Sequence, residues 1–114
     1  MIEKTILDIL EYSLPDVPIY MERPEEKPQG MYIIIDKTGS DLVNHLNRAT
    51  IAVQSYAPAL YESAQLNEAV KAILLESVSE DSISGVRLQT DYNFTDTSTK
   101  QYRYQAVFDF YYME

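Results

Sequence analysis

Between Arg48 and Leu66 the chain reads RATIAVQSYAPALYESAQL, and its hydrophobic period changes halfway. Ala49, Ile51 and Val53 alternate with Thr50, Ala52 and Gln54, the two-residue period of a half-buried strand. Beyond Pro58 the period becomes helical, with Leu66, Ala69, Val70, Ile73 and Leu74 on one stripe. Glu62, Glu68, Lys71 and Glu76 lie on the opposite side. Pro58 is expected in the first turn of this helix, where a missing N–H costs nothing, and the helix is expected to reach about Ser79. A strand that feeds a helix directly excludes both an all-helical bundle and an all-β sandwich.

The same two periods organise the rest of the chain. Ile2, Ile6, Ile9 and Leu10 form an amphipathic stripe over residues 2–14, ended by Pro15. VPIYM (Val17–Met21) reads as a short strand, and Pro18 places it at an edge. MYIIID (Met31–Asp36) is apolar on both faces, as in a strand covered on two sides. Lys37–Asn47 has no clear period and is expected to be a long loop, the kind of connection that often carries function. SEDSISG reads as a turn, and Val86, Leu88, Thr90, Tyr92 and Phe94 then alternate with Arg87, Gln89, Asp91 and Asn93. TDTSTK is a hairpin loop before a last strand over roughly Gln101–Met113. The expected fold is α+β in the order α-β-β-β-α-β-β. One mostly antiparallel sheet of about five strands carries two helices on one face, in a single domain over residues 1–114.

Charge restricts the partners. The net charge is −9, and the nine lysines and arginines are scattered, so tight binding to DNA or RNA is not expected. With no cysteine, neither a disulfide framework nor a thiolate metal site is available. No apolar run approaches the roughly 20 residues of a membrane helix. The start, MIEKTILDILEYSL, is broken by Glu3, Asp8 and Glu11, unlike a signal peptide, so a soluble intracellular protein is expected. The ten tyrosines suit half-buried sheet faces and protein interfaces.

Catalytic signals are weak. His45, Ser55 and Asp36 supply the residue types of a triad, but Ser55 lies between Gln54 and Tyr56 without the glycines of a nucleophile elbow. Glu22, Glu25 and Glu26, or Asp36, Asp41 and His45, lack a recognised metal-ligand spacing. DKTGS lacks the glycine–lysine–serine order of a phosphate-binding loop. No catalytic residue, metal or cofactor is expected.

The stretch NHLNRATIAVQSYAPALYESAQLNEAVKAIL resembles the middle of the small tail terminator or head–tail joining proteins of long-tailed bacteriophages. The likeness is specific between about Asn44 and Leu75 and extends in element order to VPIYMERP, MYIIID and AVFDFYY. It implies a structural virion protein, assembled in the bacterial host cytoplasm, that caps the tail tube as a hexameric ring and joins the head. The implied partners are copies of itself, the tail tube protein and the head completion or connector protein, with DNA passing through without specific binding. A head completion (neck) protein and a non-enzymatic ligand-binding or adaptor domain remain open as alternatives. Subunit contacts are expected from Lys37, Asp41, Leu42, Val43, His45 and Leu46 of the long loop, Arg48 beside it, and Tyr111 on the outer face of the last strand.

Overall fold

A computed structural model of the protein describes residues 1–79 and 82–113. The middle of the expected SEDSISG turn, residues 80–81, lies outside the described residues. Helix α1 (Ile2–Ser13) leads to strand β1 (Ile19–Tyr20), then to β2 (Tyr32–Val43) and β3 (Leu46–Ala57). Helix α2 (Leu60–Leu75) ends in a 3-10 turn at Ser77–Ser79, and β4 (Ile83–Asn93) and β5 (Tyr102–Tyr112) follow. The sheet order is β1-β2-β3-β5-β4.

The expected class is the observed one. Both helices lie on one face, where Ile6 and Leu10 of α1 and Val70 and Leu74 of α2 pack against Ile33, Ile51, Val53, Phe108 and Phe110. The sheet is mixed rather than mostly antiparallel in its detail, because the two-residue edge strand β1 runs parallel to β2. The other three pairings are antiparallel. The α2 stripe is also wider than apolar spacing alone indicates, since Ser63 and Asn67 are buried beside Leu66.

The expected loop over Lys37–Asn47 is instead a β-hairpin. β2 continues to Val43 and β3 begins at Leu46, with Val43 paired to Leu46 across the turn. Asn44 and His45 have φ of 50° and 69°, which is the two-residue turn whose twist matches its flanking strands. Periodicity did not show the ribbon because Asp36–Leu42 is exposed throughout, so no alternation between core and solvent marks it. A bulge at Thr38 adds one residue between the Lys37–Ile51 and Gly39–Thr50 pairs.

β4 carries two further bulges, at Ser84 and at Gln89, and the latter changes which faces its residues take. Leu88 pairs with Phe108 and Thr90 with Val107, so Gln89 is the extra residue. Val86 and Leu88 face the helices as the alternation predicts. Beyond the bulge the phase reverses, so Asp91 turns under α2 while Tyr92 goes to the opposite face. There Asn67 Nδ2 donates to Asp91 Oδ1 at 3.2 Å, and Lys71 Nζ lies 3.3 Å from the same oxygen. Pro58 precedes α2 instead of lying in its first turn, since Ala59 is the extended N-cap residue.

Candidate functional site

The β2–β3 hairpin spans the molecule. Twelve residues of strand cover about 40 Å, close to the 43 Å long axis. Tyr32 and Tyr56 pair at one end and Val43 and Leu46 at the other. β1 flanks β2 only at Ile33 and Ile34, so the distal half of β2 has one open edge. Its bulge and the charges of Asp36, Lys37 and Asp41 are the features that discourage uncontrolled strand addition.

The expected contact residues divide between the hairpin and the face that the helices leave open. Lys37 turns to the helix side, its amine 3.5 Å from Glu3. Asp41, Arg48 and Tyr111 are neighbours across β2, β3 and β5. Arg48 donates through Nε and Nη2 to the two Asp41 oxygens, at 2.9 and 2.5 Å. Leu42 is 66% exposed beyond the helices, while Val43 and Leu46 flank the turn that holds His45.

The helix-free face continues as a polar ladder. Asp109, 2% exposed, accepts from Thr50 Oγ1, Arg87 Nη2 and Gln89 Nε2, each at 2.8 Å. Two rows further on, past Ala52 and Val107, Gln54 donates to Gln105 at 2.9 Å, and Gln105 donates to the Tyr92 hydroxyl. Burial pushes the Asp109 carboxyl upward, but its three hydrogen bonds and the Arg87 charge outweigh this and hold it below the ordinary 3.8. A depressed native value gives stability that is present above the ordinary carboxylate range and is lost as pH falls through the native value. Asp109→Asn is therefore expected to lose about 1–3 kcal/mol at neutral pH, as for a buried group stripped of charged hydrogen bonds. The loss should shrink as pH falls from the ordinary carboxylate value of 3.8, where the unfolded chain takes up the proton, through the lower native value. Urea denaturation across acid pH checks this, and parallel curves for the two proteins would remove Asp109 from the acid response.

The residues with catalytic potential do not converge. His45 sits in the hairpin turn, and Ser55 lies ten residues along the same strand, about 33 Å away. Ser55 is wholly buried on the helix side and its Oγ has no hydrogen-bond partner among the described residues, whereas Asp36 is exposed on β2. Among the described residues no three His, Cys, Asp or Glu side chains gather as a metal site. No helix among them is long and apolar enough to cross a membrane.

At the end opposite the hairpin turn, the sequence reading missed an aromatic and cationic cluster. The Tyr32 and Tyr56 rings stack with centroids 4.4 Å apart and planes 7° from parallel. Arg103 sits over the Tyr56 ring at 5.7 Å and the Phe94 ring at 4.3 Å. Burial, with Tyr56 adding to it, pushes the Tyr32 hydroxyl above its ordinary value, so it stays protonated at neutral pH. Fold and surface together define a two-layer α+β protein with a long, partly open edge strand and one polar, helix-free sheet face. The chain matches no protein-family model and no curated protein.

Proposed function

We infer that the chain is a structural ring subunit that closes the tail tube of a long-tailed bacteriophage or prophage and offers the surface to which the head joins. The exposed distal half of β2 and the hairpin tip carry this reading. Asp36–Leu42 is exposed along its whole length, yet Leu42, Val43 and Leu46 give its tip an apolar character. A ribbon of this kind, held rigid by pairing to β3, suits a heterologous contact, in which one patch of a subunit meets a different patch of the next and the ring closes. The resemblance in element order to tail terminator proteins supports the same assignment. The net charge of −9 suits a ring through which DNA slides without being held.

The test is co-expression with the neighbouring tail genes of the source genome, followed by electron microscopy of the purified tubes. The expected result is a ring of this chain at one end of each tube, with head attachment lost when the gene is removed. A chain found only on heads would favour the neck-protein alternative. A chain bound to neither heads nor tubes would remove the virion role and favour the adaptor reading.

A further inference from the structure

Nine cationic side chains share this molecule with eighteen acidic ones. Five of the nine hold a carboxylate: Lys4 with Asp8, Lys37 with Glu3, Arg48 with Asp41, Lys71 with Asp91, and Arg87 with Asp109. Among the described residues the other four, Arg23, Lys27, Lys100 and Arg103, hold none. Three of these four, Lys27, Lys100 and Arg103, meet the stacked tyrosines at one end of the sheet. Lys27 and Lys100 line a cleft there and Arg103 caps Tyr56, while Arg23 lines a separate groove with Glu22 and Glu25. Glu22, Glu25 and Glu26 of the same loop and Asp96, whose backbone pairs with Gln101, stand around this end, but the cleft wall itself holds two lysines and no carboxylate.

The cleft has a volume of about 380 Å³ and is bounded by Lys27–Gly30, Ala57–Pro58 and Lys100–Tyr102. Gly30, at φ 83°, takes the left-handed turn that brings this loop into β2. Glu22, Glu25 and Glu26 belong to the same loop but line no part of the cleft. Its walls combine amines, the Gln29 and Gln101 amides, and the apolar surfaces of Pro28, Pro58 and Tyr102. The tyrosine faces are already taken. Tyr32 and Tyr56 cover each other, Arg103 lies over Tyr56, and Tyr20 meets Tyr32 edge-on at 6.2 Å. A nucleobase would thus find no open ring of this stack to lie on. A single inorganic anion would fill only a small part of the volume and none of the apolar wall.

We propose that this cleft docks an acidic peptide segment of a partner protein, whose carboxylates pair with Lys27 and Lys100 while its backbone and apolar atoms lie against Pro58 and Tyr102. Charge complementarity selects this occupant, as in other recognition of acidic motifs by clustered cations. The proposal does not depend on the ring reading and survives or fails without it.

Titration of the ¹⁵N-labelled protein with hexaglutamate at low salt tests it. Saturable amide shifts are expected at Gly30, Ala57 and Gln101, and they should be reversed by added salt. Reversing both exposed lysines, in Lys27→Glu with Lys100→Glu, should weaken binding about tenfold, the sum of several exposed ion-pair terms. The milder pair Lys27→Gln and Lys100→Gln should weaken it less, with the rest of the spectrum unchanged in both proteins. Absent or dispersed shifts would overturn the proposal. So would equal or tighter binding of inorganic phosphate, which would mark a small-anion site, or of oligothymidylate, which would mark a nucleic-acid site. Concentration-dependent changes at the same amides without peptide would replace the partner with a second copy of this chain.

Discussion

Deleting Leu42, Val43, Leu46 and Asn47 is expected to abolish the joining of tails to heads while leaving the fold intact. The deletion removes two facing residue pairs, so the Asn44–His45 turn closes on Asp41 and Arg48 with the hydrogen-bond phase of the ribbon preserved. The Arg48–Asp41 ion pair remains, and only one β3–β5 pair, Asn47 with Tyr112, is lost. Leu42 buries little, so the stability cost should stay near 1 kcal/mol and the Tm within roughly 8 °C of wild type. What disappears is the apolar tip proposed to reach the next subunit. Complementation of a phage lacking the gene should yield infectious particles only at the level of the deletion itself. Full infectivity with the shortened ribbon would remove this segment from the assembly mechanism.

Phe108→Ala should have the largest effect on stability. Phe108 is fully buried between Ile51 of β3 and Leu88 of β4, with its ring 5.8 Å from that of Phe110 and tilted by 40°. Truncation removes that contact and leaves a cavity under both helices, at a cost of about 3–5 kcal/mol. A domain of this size has about 5–15 kcal/mol in total, so Tm should fall by roughly 12–20 °C. Urea unfolding at neutral pH should show a lower midpoint with an unchanged slope. A change below about 1 kcal/mol would place Phe108 outside a close-packed core.

The elements facing the core were legible because burial imprints a period on them. Ile2, Ile6 and Leu10 spell α1, and Ala106, Phe108 and Phe110 spell the inner face of β5. Where burial ends, so does the signal: Asp36–Leu42 continues the strand of Ile33–Ile35 past one bulge but is exposed on both sides. Its turn uses Asn44 and His45 without a glycine, so the strongest hairpin cue is also missing. The extra residue at Gln89 is equally silent, since a bulge leaves composition and spacing intact and changes only which side receives Asp91 and Tyr92. Of the candidate contact residues, Asp41, Arg48 and Tyr111 were identifiable one by one, but their adjacency required the order β2-β3-β5. The same order brings Lys27 beside Lys100 and Arg103, from opposite ends of the chain.

The position of β5 inside the sheet sets a schedule for synthesis. β3 is the middle strand, yet one of its two neighbours begins only at Tyr102, after α2 and β4 have been made. On the ribosome β3 therefore emerges with β2 alone beside it, and its second side stays unpaired while Ile51 and Val53 wait for Phe108 and Ala106. An apolar strand with an open side is the nascent species most exposed to wrong pairing. α2, built from local contacts, follows immediately and can cover the inner face before the sheet is complete. The insertion of β5 between β3 and β4 is thus the last pairing that synthesis makes available, and its contact with β3 is the least local in the sheet.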